Sequence, residues 1–176
     1  MRRFLFDSCR TPTIVDGLAG IVAKDIFVSN SVLAILSTSN QLFTWNGSAY
    51  FLGRQSNNPS CYWCYDRTVG RVAISDQIDA VSFGWAKGNN ISTALTKTGK
   101  LYSWGYFKNG QVFIPETSTL PSNRTPVAIG SNGSYLIVVA SDKTWWYQTL
   151  DVNNNIVYYQ LNSVPTAIRN NFVSLS

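Results

Sequence analysis

The residues most suggestive of chemistry in this sequence are the two cysteines of the run Cys-Tyr-Trp-Cys at residues 61–64. Cysteines separated by two residues occur in zinc sites and in redox-active thiol pairs. A structural zinc ion needs about four ligands, usually Cys and His, but the chain offers only Cys9 as a further cysteine and no histidine. No βαβ pattern surrounds the run, as it would in thioredoxin-like proteins. We therefore expect no metal site, and we interpret Cys61 and Cys64 as small apolar loop residues.

The missing histidine also limits catalysis. It excludes Ser-His-Asp and Cys-His arrangements, and none of the nine Asp and Glu residues is placed as in a catalytic dyad. General acid–base catalysis near neutral pH would need an Asp, Lys or Tyr with a strongly shifted pKa. Neither of the common Gly-rich phosphate loops occurs in the sequence. We therefore predict no catalytic residue, no cofactor and no enzymatic activity.

The segment around the two cysteines has residue types that suit protein recognition. Aromatic and arginine side chains dominate binding hot spots, and this segment supplies Tyr62, Trp63, Tyr65 and Arg67. The alternative is that these aromatic side chains pack over an edge of the fold. If they form a contact surface, Trp63→Ala weakens partner binding and leaves the melting temperature nearly unchanged.

Charge and composition restrict the partners and the location. The net charge is +5, but the basic residues are scattered, and nucleic-acid binders usually cluster them on one face. This disfavours nucleic acid as the partner. No stretch reaches the roughly 18 apolar residues of a membrane span, and the apolar run after Arg3 is too short for a signal peptide. With three cysteines, an odd number, we expect a reducing compartment, in the cytoplasm, the nucleus or a virion.

An internal repeat reveals the elements that must position these residues. Residues 91–105, ISTALTKTGKLYSWG, align without gaps with residues 32–46, VLAILSTSNQLFTWN, which places Trp104 on Trp45. A third copy, residues 135–149, has Gln148 at the tryptophan position and no glycine matching Gly105. Repetition of one unit indicates a repeat architecture.

Each copy reads as a β-hairpin. Period-2 alternation places one set of side chains on a buried face, which in the second copy comprises Ile91, Thr93, Leu95, Leu101 and Ser103. The turn between the strands needs a residue with positive φ, for which Gly99 and Asn40 are suited. Lys143 is less suited, so we expect a distorted hairpin in the third copy.

The repeats divide the chain into units. Each hairpin follows another apolar stretch and precedes a loop rich in Gly, Asn, Pro and Ser, so a unit of about 45–60 residues holds three or four strands, as a propeller blade does. Residues 20–176 then form one domain with units at 20–74, 75–125 and 126–170, and 171–176 begin a further strand. Residues 1–19 form an N-terminal segment that could cap an edge. The fold class is all-β.

The second unit resembles a repeat of the regulator-of-chromosome-condensation family. That repeat contains Gly-x-x-His-Ser-x-Ala-Leu, a turn glycine, an aromatic-Ser-Trp-Gly end and a later Gly-Gln. The matching residues are Gly88, Ser92, Ala94, Leu95, Gly99, Tyr102, Ser103, Trp104, Gly105, Gly110 and Gln111, whereas Ile91 replaces the histidine. The resemblance implies a partial β-propeller of about three four-stranded antiparallel blades. Family members usually carry seven, so we expect a second copy, another protein or a continuation of the chain to cover the cut faces.

Three functions remain open at this point. The first is a non-catalytic interaction or structural assembly module, such as a component of a large complex or virion, whose partners are proteins or further copies of the chain. The second is implied by the resemblance: some family members promote guanine-nucleotide exchange on the small GTPase Ran and bind chromatin. The third is a carbohydrate- or surface-binding module, suggested by nine tyrosines and six tryptophans.

Overall fold

The structure is a computed structural model that describes residues 15–29, 32–56, 64–86, 89–107, 110–131 and 136–163. Within them, three four-stranded antiparallel sheets follow one another along the chain. Blade 1 contains β1 (Ala23–Val28), β2 (Leu33–Ser37), β3 (Leu42–Trp45) and β4 (Gly70–Arg71). Blade 2 contains β5 (Ile78–Ala86), β6 (Asn89–Thr96), β7 (Leu101–Phe107) and β8 (Gly110–Ser118). Blade 3 contains β9 (Pro126–Ser131), β10 (Leu136–Ala140), β11 (Trp145–Leu150) and β12 (Ile156–Gln160). The predicted all-β class is thereby confirmed.

Two short helices lie in the connections. Helix α1 (Ala49–Leu52) falls between β3 and β4, and a single 3₁₀ turn (Pro121–Asn123) joins blade 2 to blade 3. No helix in the described ranges is long and apolar enough to cross a membrane. The predicted edge-capping segment up to residue 14 and the predicted strand start at 171–176 lie outside the described residues.

The strand register matches the repeat alignment. Trp45 pairs with Leu33, Trp104 with Ser92, and Gln148 with Leu136, each across the central hairpin of its blade. These residues therefore occupy one position in the three blades. Gly105 follows Trp104 at a register shift between β7 and β8 and has a φ of 129°.

The three hairpin turns also share one geometry. Asn40, Gly99 and Lys143 have φ values of 59°, 75° and 63°, and each backbone N–H donates to the carbonyl three residues earlier. The expected distortion of the third hairpin is wrong. Lys143 keeps the turn because the carboxylate of Asp142 accepts hydrogen bonds from both the N–H and the hydroxyl of Thr144.

The core lies between the blades. One apolar cluster joins blades 1 and 2 through residues such as Leu36, Leu42 and Trp104, and a second joins blades 2 and 3. Blade 2 is therefore buried on both faces, not only on the predicted one: in β6, Ala94 packs toward blade 1 and Leu95 toward blade 3.

Candidate protein-interaction surface

Tyr65 and Arg67 are the two predicted contact residues that the structure describes, whereas Tyr62 and Trp63 lie outside the described residues. Tyr65 is 60% exposed, Arg67 is also exposed, and Asp66 between them is buried. Both exposed side chains line a cleft of about 380 Å³, whose other lining residues are Ser29, Val32, Leu33 and Asn46. We call this the Tyr65–Arg67 cleft.

Asp66 anchors this cleft to blade 1. Its carboxylate forms a buried ion pair with Arg54, with Nη1 and Oδ2 3.2 Å apart. Arg54 also donates to the carbonyl of Thr68 at 2.6 Å, and Thr68 N–H donates to Asp66 Oδ1 at 2.9 Å. The backbone of Asp66 pairs with Asn46 and Gly47. Because Asp66 and Thr68 are both held by these bonds, Tyr65 and Arg67 extend from an ordered stretch of backbone.

The start of the same connection is bonded to both blade 1 and blade 2. The indole N–H of Trp104 donates to the carbonyl of Phe51 at 2.9 Å, and the hydroxyl of Thr44 donates to the carbonyl of Leu52 at 2.6 Å. Gly53, with φ of 63°, lies against Trp104, where a Cβ would approach the indole ring to 3.0 Å. The β3–β4 connection therefore spans two blades.

Cys64 requires a correction. It is disulfide-bonded, so the interpretation of both cysteines as plain apolar loop residues is wrong for Cys64. Spacing alone does not distinguish a cross-linked cysteine from a packed one. Cys61 and the partner of Cys64 lie outside the described residues. No group of three or more potential metal ligands occurs in the part of the chain that the structure describes.

A second concave surface lies along the first strands of the blades. This groove, of about 1230 Å³, is lined by residues of β1, β5 and β9 and by three side chains from the far side of blade 3, which are Ile137, Trp145 and Tyr147. Its β1 side includes the exposed Ile26 and Val28. We call it the axial groove, and sequence reasoning did not identify it because its walls come from all three repeats.

Two carboxylates, the half-buried Asp76 and the exposed Asp142, also carry ion pairs. Lys100 donates to Asp76 at 2.9 Å, and this hydrogen bond holds the pKa of the carboxyl below its usual value. The hydroxyl of Thr144, together with Arg124 at 2.7 Å, lowers the pKa of Asp142 in the same way. A carboxyl with a lowered pKa stays ionised and is a weaker base, so neither is suited to general acid–base catalysis near neutral pH.

A buried polar network joins blades 2 and 3. Gln148 Nε2 donates to Ser103 Oγ at 3.3 Å and to the Tyr158 hydroxyl at 3.2 Å, and its Oε1 accepts from Thr93 at 3.3 Å. Tyr158 also shares a 2.7 Å hydrogen bond with Ser118. Burial raises the pKa of the Tyr158 hydroxyl above its usual value. The network is structural, because it lies inside the blade interface.

The fold matches solved β-propeller structures. Prp20p from Saccharomyces cerevisiae, whose structure was described with its binding properties to Gsp1p and histones, aligns at a TM-score of 0.63 and 19% identity. That alignment covers 88% of this chain and 42% of Prp20p. Yeast RCC1 (Prp20) bound to Kap60 aligns at 0.59 and 19% identity, covering 88% of this chain and 39% of that one. Human WBSCR16 aligns at 0.58 and 16% identity, covering 75% and 37%.

The likeness is one of fold. No family model matches the sequence, and no curated protein matches it. The chain spans about two fifths of the length of the solved structures that it matches. Its three antiparallel sheets correspond to the predicted blades, which confirms the resemblance and the fold class. The described part of the chain is a partial β-propeller with a fold similar to that of the RCC1 (Prp20) structures.

Proposed function

We propose that this chain is a non-catalytic protein-interaction or assembly module. The observation that carries the proposal is the Tyr65–Arg67 cleft, where an aromatic and an arginine side chain are exposed on either side of the buried Asp66. Such residues bind best when the backbone beneath them is already ordered, because less conformational entropy is then lost on association.

The absence of catalysis is part of this proposal. Among the described acidic residues, Asp66, Asp76 and Asp142 are each in an ion pair with a basic side chain. The lack of histidine removes the side chain that most often carries a proton at neutral pH. What the Tyr65–Arg67 cleft offers instead is one aromatic ring, one guanidinium and the amide of Asn46, which are groups for recognition.

A capture experiment tests the interaction proposal. The tagged chain and the double variant Tyr65→Ser/Arg67→Ser are used to capture proteins from the source cells, and captured proteins are quantified by mass spectrometry. We expect at least one protein to be depleted about tenfold or more with the double variant, which corresponds to a loss of roughly 1.4 kcal/mol. Val152→Ser is the matched control, because Val152 is 94% exposed and lies in a different turn. Equal recovery with all three chains, at unchanged melting temperatures, would refute the proposal.

Binding of a small GTPase or of histones is the second candidate, and the likeness to Prp20p favours it. Histones are basic, and the net charge of +5 on this chain opposes their binding. A nucleotide-release assay with small GTPases tests exchange activity. Faster release would support this candidate, and unchanged release with every GTPase tested would remove it.

A further inference from the structure

Arg67 carries the only charge among the described lining residues of the Tyr65–Arg67 cleft. Its neighbour Asp66 does not neutralise it, because that carboxylate is buried and paired with Arg54 at 3.2 Å. The guanidinium of Arg67 is exposed and forms no ion pair or hydrogen bond with the residues that the structure describes. The cleft therefore presents a positive charge that the described chain leaves unpaired.

Two further polar side chains of the cleft are available for hydrogen bonding. The amide of Asn46 and the hydroxyl of Tyr65 form no hydrogen bond within the described part of the chain. Asn46 is nevertheless fixed in place, because its backbone N–H donates to the carbonyl of Asp66 at 2.7 Å. The hydroxyl of Ser29, by contrast, is used in the β1–β2 turn, where it accepts from the N–H of Val32 at 3.1 Å. An amide N–H and a phenol O–H can both donate to a carboxylate, which has only acceptors.

The side chains of Tyr65 and Arg67 extend from the same side of the backbone. The backbone of Asp66 forms an antiparallel bridge with Gly47, so this stretch is locally extended and its side chains alternate in direction. The two outer side chains are exposed, and Asp66 between them is buried. Side chains two residues apart in an extended chain are separated by about 7 Å. A bound extended peptide has the same spacing, so two of its side chains with one residue between them can contact Tyr65 and Arg67 together.

The cleft also has an apolar part. Val32 and Leu33 line it, and Val32 is almost fully buried while Leu33 is half-buried. Together with the ring of Tyr65, they offer apolar surface to a ligand side chain beside the positive charge. All of the described lining residues come from blade 1 and its connections, so the site does not depend on how many blades the protein has.

We propose that the Tyr65–Arg67 cleft binds an extended acidic segment of a partner protein. An aspartate or glutamate carboxylate of that segment pairs with the guanidinium of Arg67, and an apolar side chain two positions away packs against Tyr65. This rests on the proposed function as a protein-interaction module and names the chemistry of the partner. A guanidinium binds a carboxylate through charge-assisted hydrogen bonds, and the net charge of +5 attracts an acidic segment and repels a basic one. A nucleic acid is disfavoured, because its phosphates call for a cluster of cations and the described lining has one.

Selection from a phage-displayed library of random peptides tests the proposal. The library is first depleted on the Arg67→Glu chain and then selected on the unmodified chain. We expect the enriched peptides to contain Asp or Glu, with an apolar or aromatic residue two positions before or after it. Neither substituted side chain is bonded to the described chain, so the variants should fold normally, which circular dichroism checks.

The dissociation constants of the enriched peptides are then measured by fluorescence polarisation. Arg67→Glu should raise them about 10- to 30-fold, because it replaces attraction by repulsion, and Tyr65→Ser about tenfold. Replacing the acidic residue of the peptide by its amide should weaken binding by about five- to tenfold. Lys97→Glu is the matched control: it makes the same change of charge at an exposed position in the β6–β7 turn of another blade, and it should leave binding unchanged.

Three results would overturn this inference. One is that no peptide survives the depletion, and another is that the surviving peptides lack an acidic residue or keep their affinity when it becomes an amide. The third is that a labelled single-stranded oligonucleotide binds more tightly than the peptides and loses its binding with Arg67→Glu, which would assign the cleft to phosphate. The proposed function is judged separately, because the capture experiment detects a partner of the cleft whatever the charge of that partner.

Discussion

Gln148 and Trp104 occupy the same position in adjacent blades, and the surface that each meets explains the difference between them. Trp104 packs on blade 1, where Gly53 leaves room for the indole ring and the carbonyl of Phe51 accepts its N–H. Gln148 instead meets Thr93 and Ser103 of blade 2, whose hydroxyls need hydrogen-bond partners in a buried interface. Glutamine therefore replaces the repeat's tryptophan at position 148 because Ser103 and Thr93, 45 and 55 residues earlier in the chain, offer hydroxyls to bond.

This matching predicts that restoring the repeat residue destabilises the protein. Gln148→Trp should lower the free energy of unfolding by about 2–4 kcal/mol, because the larger side chain overpacks the interface and removes the amide that hydrogen-bonds to three buried hydroxyls. Urea denaturation followed by fluorescence measures the effect. Val152→Trp is the control for adding an indole group, because Val152 is almost fully exposed. An increase in stability for Gln148→Trp would contradict the role given to the network.

At the scale of elements, the hairpin turns keep one backbone geometry with different supporting side chains. In the second turn the hydroxyl of Thr96 accepts from the N–H of Lys100 at 3.0 Å. The third turn has Ala140 at that position and cannot form this bond, but Asp142 accepts from the N–H of Thr144, also at 3.0 Å. The turn therefore depends on one side-chain acceptor and one residue with positive φ.

Lys143 has a left-handed backbone conformation, which is sterically unfavourable for a residue with a Cβ. Replacement by glycine should remove this steric cost. We expect Lys143→Gly to raise the free energy of unfolding by about 0.5–1 kcal/mol, since the left-handed penalty exceeds the entropy cost of glycine. Thermal unfolding measures the change. The reciprocal change, Gly99→Lys, should be destabilising, because a Cβ there would lie 2.6 Å from Cγ2 of Thr125. Loss of stability in Lys143→Gly would show that the lysine side chain makes a stabilising contact.

These elements also show what the sequence could predict. The hairpins, the turn position and the number of blades follow from period-2 alternation and from short repeats, which are local signals. The β3–β4 connection was recognised only as a source of aromatic residues. Its structure depends on contacts such as Trp104 with Phe51 and Gln111 with Tyr50, which join residues 53 and 61 positions apart. No local pattern encodes such pairs, and the same holds for the disulfide of Cys64.

At the scale of the whole molecule, the blades form a linear array in which neighbours supply each other's burial. Blade 2 has a neighbour on both faces, so Ala94 and Leu95, which point to opposite sides of β6, are both almost fully buried. Blades 1 and 3 have one described neighbour each: Ile35 and Val139 in their second strands are still buried, whereas Ile26 in β1 and Tyr159 in β12 remain largely exposed. In arrays of this kind the free energy of unfolding is approximately the sum of the stabilities of the single blades and of the interfaces between neighbouring blades.

Blade 2 should therefore exchange its backbone amide hydrogens most slowly. The measurement is hydrogen–deuterium exchange by mass spectrometry on the purified chain. We expect the central strands β6 and β7 to be the most protected, because opening them requires the loss of two blade interfaces. Among the first strands of the three blades, β1, β5 and β9, we expect β1 to be the least protected. Blade 1 or blade 3 could instead match blade 2 in protection. That result would mean that an end blade is held by contacts beyond its one described neighbour, and the linear account of stability would be wrong.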